Sequence, residues 1–294
     1  MKFLTYMDQG YETLGVLSKD EQTVYRLADT GLTFFNMNDL IERLTDEDKA
    51  VIKDYLKNPE DPGVPYEEVE KCAPIPRPAQ DVICLGINYA AHAVEAAHYE
   101  NDTFGGERPY PIYFAKRVNE AVADGGFIES HPGLVERLDY ECELAVVIGR
   151  PCKDVKAEDA YDYVFGYTIV NDVSARVLQR RHKQWYFGKS LDGFTPIGPW
   201  ITTADEIQGK PRLKIQSYIN GELRQDSITD HLIFDIGYII SELSQGMTLL
   251  PGTIIATGTP AGVGMGFDPP KFLKSGDQVD CYIEKIGTLH NTVR

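Results

Sequence analysis

Glu141 and Glu143 open a run of strand-forming residues, Asp139-Tyr140-Glu141-Cys142-Glu143-Leu144-Ala145-Val146-Val147-Ile148-Gly149. Residues two apart on a strand share a face, so the two glutamates point the same way as Ala145 and Val147. Tyr140, Cys142, Leu144, Val146 and Ile148 fill the opposite face and read as core. Two carboxylates about 7 Å apart on one strand face repel unless a cation lies between them or one is neutralised. A Glu-x-Glu pair on an exposed antiparallel face is often simply solvated. Here the residues after Glu143 are apolar on both faces, the pattern of a strand buried on both sides. A second apolar run, Tyr161 to Val170, ends in Asn171-Asp172 and offers a third carboxylate at a strand terminus. Acidic oxygen donors from two strand ends are what a hard divalent cation such as Mg²⁺ or Mn²⁺ asks for.

Other residues could move protons or hold an oxo acid. Asn88 to His98 is alanine-rich and reads as a helix with Asn88 as its N-cap. His92 and Glu95 are three apart and share a face of that helix. A carboxylate beside an imidazole fixes its tautomer and raises its basicity, which suits a general base; an ordinary surface pair has the same spacing. His98, one turn further, reads as peripheral. Lys189 lies in Gly188-Lys189-Ser190-Leu191-Asp192-Gly193, read as a loop between glycines. It could stabilise an oxyanion or be a solvated loop lysine. Arg176 and Gln179 are again three apart and could face one pocket, whereas Arg180-Arg181-His182-Lys183 reads as a solvated face. Gly258 and Thr259, in Thr257-Gly258-Thr259-Pro260-Ala261-Gly262, offer close backbone approach and a hydroxyl to a carboxylate, although turns also need glycine.

These residues need a frame. Thr13–Leu17 and Thr23–Leu27 flank a polar turn and predict a hairpin, followed by one helix from about Asn38 to Leu56. Prolines at 59, 62, 65, 74, 76 and 78 disfavour regular structure and read as a linker. From Asp81 onward short β-rich runs alternate with Gly/Pro turns: Val82–Gly86, Ile112–Ala115, Glu141–Ile148, Tyr163–Val170, Leu213–Ile219, Thr253–Thr257 and Gln278–Ile283. The expected class is α+β, mainly β, with a small N-terminal α/β module and linker over 1–73 and a catalytic domain over 74–294.

Composition narrows the functions. With 294 residues, 43% of them hydrophobic, the chain can bury a substantial core. A net charge of −16 argues against nucleic acid and anionic membrane as partners. No apolar run reaches the roughly 18–20 residues that span a bilayer, and no signal-peptide core is seen near residue 1. Five scattered cysteines without a Cys-x-x-Cys pair fit reduced thiols in a cytoplasm. No Gly-x-Gly-x-x-Gly supports a dinucleotide fold.

Taken in order, Gly86-Ile87-Asn88-Tyr89-Ala90-Ala91-His92-Ala93-Val94-Glu95, Asp139-Tyr140-Glu141-Cys142-Glu143-Leu144, Asn171-Asp172-Val173-Ser174-Ala175-Arg176, Gly188-Lys189-Ser190 with Pro196-Ile197-Gly198-Pro199-Trp200, and Gly258-Thr259-Pro260 resemble the fumarylacetoacetate hydrolase family. The resemblance covers about residues 74–294, and the N-terminal module resembles the small extra domain of longer bacterial members. It implies a mixed β-sandwich roll, a homodimer, and Glu141, Glu143 and Asp172 as ligands of Mg²⁺ or Mn²⁺. It further implies His92 and Glu95 as a water-activating dyad, and Lys189 and Thr259 as contacts to substrate oxygens. After Lys116 many members continue with a proline and then a serine, where this chain has Arg117-Val118-Asn119. Lys116 keeps the matching position as a site residue.

The expected substrate is a small 2-oxo carboxylic acid with a second carbonyl two carbons away. First comes hydrolysis of a C–C bond in an acylpyruvate-like 2,4-dioxo acid, through a metal-bound pyruvate enolate. Oxaloacetate decarboxylation and keto–enol isomerisation of unsaturated 2-oxo diacids give the same enolate and follow in that order. A non-catalytic oxo-acid-binding protein would be expected to lack His92, Glu95 or a metal ligand, and all are present.

Overall fold

The computed structural model describes residues 1–100 and 109–294. In chain order its longer strands are β1 (Lys2–Asp8), β2 (Tyr11–Leu17), β3 (Thr23–Arg26), β4 (Val82–Gly86), β5 (Ile112–Lys116), β6 (Cys142–Ile148), β7 (Val164–Asn171), β8 (Ile197–Thr203), β9 (Lys214–Ile219), β10 (Glu222–Ile228), β11 (Ile254–Ala256), β12 (Gln278–Ile283) and β13 (Gly287–Val293). The helices are α1 (Met37–Arg43), α2 (Asp46–Tyr55), α3 (Ala90–Glu100), α4 (Arg176–Arg181), α5 (Tyr186–Lys189) and α6 (Ile236–Gly246). The larger sheet runs β3-β2-β1-β8-β7-β6-β11-β4-β5, antiparallel except where β11 meets β4. The smaller runs β10-β9-β12-β13 and ends on a parallel pairing with Phe127–Ile128. The expected mixed, mainly β architecture is what the chain adopts.

Strand β6 lies at the middle of this frame. Its Cys142, Leu144, Val146 and Ile148 belong to one apolar cluster with Ile215, Val279, Cys281 and Leu289 of the smaller sheet. Its Ala145 and Val147 belong to another with Phe3, Val16, Leu40 and Ile52. Both faces are therefore dry, as the continuous apolar run predicts. Burying each of Leu144, Val146 and Ile148 contributes roughly 1.5–3 kcal/mol. That pins the register of the strand and carries the two glutamates into the interior with it.

The N-terminal residues join the same sheet. Phe3 of β1 pairs with Ile201 of β8, and Gly15 and Val16 of β2 pair with Arg26 and Tyr25 of β3, forming the expected hairpin. Within the proline-rich passage, Glu70–Lys71 pairs with β1. Buried Asp124 ties that passage down by accepting from Tyr66 Oη (3.0 Å), Lys71 Nζ (2.9 Å) and His290 N (2.8 Å).

Two local expectations need correction. The single helix expected over 38–56 is two, because Thr45 starts a new one. Its hydroxyl accepts from Asp48 N at 3.1 Å while Asp48 Oδ2 accepts from Thr45 N at 2.9 Å, a reciprocal capping box. Asn88 does not cap α3, which begins at Ala90. It is buried, and its amide donates to Phe234 O (2.9 Å) and Thr257 O (2.8 Å), clamping loops rather than a helix end. Helix α6 was not anticipated, although Ile236, Ile239, Ile240 and Leu243 carry its buried stripe and Asp235 caps it through Tyr238 N at 2.9 Å.

Candidate active site

Register brings the three acids together. Cys142 pairs with Asn171 across β6 and β7, so the residue after β7 falls beside the residue before β6. Asp172 N donates to Glu141 O at 2.9 Å and Glu141 N to Asn171 Oδ1 at 3.0 Å, which locks the two strand ends. Carboxylate oxygens of Glu141, Glu143 and Asp172 all lie within 4.8 Å of one another, and all three residues are buried.

Three buried cations surround them. Lys189 Nζ donates to Glu141 Oε2 (2.9 Å) and Asp172 Oδ2 (2.6 Å). Lys116 Nζ donates to Asp172 Oδ1 (2.7 Å), Val173 O (3.1 Å) and Lys189 O (2.5 Å). An ammonium has three N–H donors, so Lys116 is fully committed to the frame of the site rather than to its cleft. The Arg176 guanidinium pairs with Asp139 Oδ2 at 2.9 Å and Glu141 Oε1 at 2.6 Å. Asp139 in turn accepts from Gly264 N (2.6 Å) and Met265 N (3.0 Å).

The charges do not balance. Asp139, Glu141, Glu143 and Asp172 face Lys116, Lys189 and Arg176, all buried, which leaves one negative charge in excess. That excess falls on Glu143, which has no ion pair among the described residues and accepts from Gly258 N at 2.8 Å. Burial, then the charges of Asp172 and Glu141, push its carboxyl well above the ordinary range. Burial also pushes Glu141 up, but the Lys189 ammonium and Arg176 guanidinium outweigh it and hold that carboxyl below the usual range. A divalent cation suits this donor set, since three hard oxygens converge and one of them lacks a counter-charge. Glu141, Glu143 and Asp172 could thus hold a metal ion.

The histidine dyad forms. His92 Nδ1 and Glu95 Oε2 are 2.9 Å apart, and Glu95 Oε1 accepts from Gly262 N at 2.9 Å. Glu95 is held from both sides, so the proton shared with it belongs on Nδ1 and the other ring nitrogen, Nε2, is the one left to act as base. His92, Glu141, Arg176, Gln179 and Lys189 line one cleft. Gln179 Oε1 accepts from Arg176 Nη1 at 3.2 Å, the contact expected from their spacing. Lys189 is the last residue of α5 rather than part of a loop.

Gly258 and Thr259 lie behind the acids. Gly258 has φ of 98°, and a Cβ there would come within 2.7 Å of Asn88 Cβ, so glycine is required for its N–H to reach Glu143. Thr259 Oγ1 donates to Cys142 O at 2.9 Å and therefore faces β6. The cleft also has lining that sequence reading passed over, Phe114, Trp185 and Met265, and Arg180, read as part of a solvated face, is exposed but borders the cleft as well. The rings of Phe114 and Trp185 meet edge to face at 5.2 Å. Gly86 was the available signal, because a Cβ there would lie 2.2 Å from the Trp185 ring.

Residues 81–294 match the family model described as fumarylacetoacetate (FAA) hydrolase C-terminal. The chain belongs to that family. Oxaloacetate tautomerase YisK of Bacillus subtilis (strain 168) is 46% identical over 263 residues, covering 86% of each chain. Among solved structures, a fumarylacetoacetate hydrolase from psychrophilic Exiguobacterium antarcticum is 38% identical with a TM-score of 0.84, covering 100% of this chain and 99% of that one. A 5-carboxymethyl-2-hydroxymuconate delta-isomerase from Mycobacterium smegmatis is 33% identical with a TM-score of 0.74, at the same coverage.

Proposed function

We propose that the chain is a divalent-metal-dependent enzyme that moves a proton between the enol and keto forms of oxaloacetate or a close 2-oxo diacid. The observation that carries this reading is a base and a cation site facing one cleft, His92 opposite Glu141 and Lys189, in a chain 46% identical to an oxaloacetate tautomerase. Proton transfer thereby moves ahead of C–C hydrolysis, which the motifs alone put first. Tautomerisation needs a base and a stabiliser of the enolate oxygen, and His92 and Lys189 line the cleft for these two tasks.

Glu141, Glu143 and Asp172 would hold Mg²⁺ or Mn²⁺, which when bound would supply Lewis-acid polarisation of the 2-oxo group. His92, kept in one tautomer by Glu95, works at C3. In the ketonising direction Nε2, having taken a proton from solvent water, passes it to C3, the C2–C3 π pair becomes the new C–H bond, and the enol oxygen returns its proton to solvent water as C2=O re-forms. In the reverse direction Nε2 takes the C3 proton. Lys189 has one N–H beyond the two given to Glu141 and Asp172, and sets positive charge beside the developing enolate oxygen.

Cleavage of an acylpyruvate is the second reading, favoured by the 38% identity to a fumarylacetoacetate hydrolase. It would use the same residues with a water placed under His92. One set of assays separates the readings: loss of enol absorbance of oxaloacetate, pyruvate formation from oxaloacetate, and cleavage of an acylpyruvate, each with Mg²⁺ or Mn²⁺ and with chelator. Metal-dependent enol loss without pyruvate is expected. No acceleration of ketonisation alongside rapid acylpyruvate cleavage would replace the first reading by the second.

A further inference from the structure

Gln225 sits on β10 of the smaller sheet, fully buried, and its amide reaches the strand that carries both glutamates. Gln225 Oε1 accepts from Cys142 N at 3.1 Å. Its Nε2 donates to Thr259 Oγ1 at 2.7 Å and to Pro260 O at 2.7 Å. Thr259 Oγ1 donates in turn to Cys142 O at 2.9 Å. Both backbone polar groups of the one residue between Glu141 and Glu143 are thus held by a single amide and the hydroxyl it orients.

The sheet explains why side chains are needed there. Strand β7 pairs with β6 along its length, from Cys142 to Ile148, whereas β11 covers the opposite edge only from Ala145 to Val147. Beyond that short strand the outward N–H and C=O of Cys142 have no ladder partner, and buried backbone groups require one. The chain beyond β11 leaves the ladder at Gly258, whose φ is 98° and whose N–H goes to Glu143 instead. The amide and hydroxyl satisfy the Cys142 groups in its place. The same Nε2 also donates to Pro260 O, so both hydrogens of the amide and its oxygen are engaged and the grip has little freedom to drift.

We propose that Gln225 and Thr259 are positioning residues for the acidic triad. By holding the Cys142 peptide they set the separation and direction of the Glu141 and Glu143 carboxylates, and so the affinity of the site for a divalent ion. The inference rests on reading Glu141, Glu143 and Asp172 as metal ligands. Partners one shell away from a metal typically change its affinity by about 10–100-fold when removed.

The test measures Mn²⁺ itself, by the electron paramagnetic resonance of free ion in titrations of the purified full chain. Gln225→Leu keeps the volume and loses the amide, and should bind Mn²⁺ about 10–100-fold more weakly than the wild type. Thr259→Val should lose affinity several-fold, and Thr259→Ser, which keeps the hydroxyl, should restore it. Thermal melts run alongside; a merely structural role would lower Tm without moving the Mn²⁺ dissociation constant. A folded Gln225→Leu protein with wild-type affinity overturns the proposal. If that variant fails to fold, equal affinities for Thr259→Val and Thr259→Ser overturn it instead. Wild-type protein that binds no Mn²⁺ would overturn the metal reading of the triad, and this inference with it.

Discussion

Glu143→Gln replaces a titrating carboxyl by a neutral amide of nearly the same shape. In the metal-free protein burial, and then Asp172 and Glu141, keep the Glu143 carboxyl protonated well above its ordinary value of 4.5. The unfolded chain gives that proton up once pH passes the ordinary value. It then binds fewer protons than the folded chain, so stability falls as pH rises, until the folded carboxyl itself ionises. One proton of difference amounts to about 1.4 kcal/mol per pH unit at most. With an unfolding entropy of roughly 2.1 cal/mol/K per residue over the whole chain, that is about 2 °C of Tm per pH unit. Glutamine still accepts from Gly258 N but holds no titrating proton, so the variant should show a slope shallower by that amount. Glu141 does not interfere, because its carboxyl is held below the usual range and its contribution changes only under more acid conditions. Asp139, which burial pushes up despite Arg176, is present in both proteins and cancels in the difference. Thermal melts of both proteins in chelator, between about pH 5 and 8, are the assay. Adding Mn²⁺ should reverse the wild-type trend, since the proton must leave before the ion binds, and the gain in Tm should grow with pH. Identical slopes in chelator would refute the assignment of the excess charge to Glu143.

Two further substitutions separate binding from chemistry. His92→Gln keeps a partner for Glu95 but removes the base, and should lower kcat by about 10²–10⁴ with the Mn²⁺ dissociation constant unchanged; unchanged turnover would remove His92 from the mechanism. Gly86→Ala places a Cβ 2.2 Å from the Trp185 ring and must displace it from the cleft. Raised KM and shifted tryptophan emission are expected, with Mn²⁺ affinity unchanged, and an unmoved KM would show that Trp185 does not shape the substrate pocket.

Much of the site was legible because its signals are local. Period-two alternation assigned Glu141, Glu143, Ala145 and Val147 to one face of β6 and Cys142, Leu144, Val146 and Ile148 to the other, and both faces are buried as that pattern implies. Three-residue spacing placed His92 with Glu95 and Arg176 with Gln179, and both pairs touch. Strand β8 escaped notice as a strand because Gly198 and Pro199 lie inside it, and these residues argue against a ladder when read alone. The Thr45–Asp48 box was present in the sequence but was overridden by apolar spacing that runs across it.

Residue type and spacing alone determined the chemistry on offer: hard oxygen donors at strand ends, a histidine paired to a carboxylate, and nearby cations. Tertiary structure alone decided how each group is used. Lys116 and Thr259 looked equally able to meet a ligand, yet one is bound into the frame by three acceptors and the other holds the Cys142 carbonyl. Gln225 carries no local signal, since one buried amide in a strand resembles any other polar residue. Periodicity reports which way a side chain points. What it meets there depends on pairings between distant segments, such as Cys142 with Asn171 and Ala145 with Ala256. Those pairings are selected by the packing of both sheets at once, and they turn three separate acids into one site.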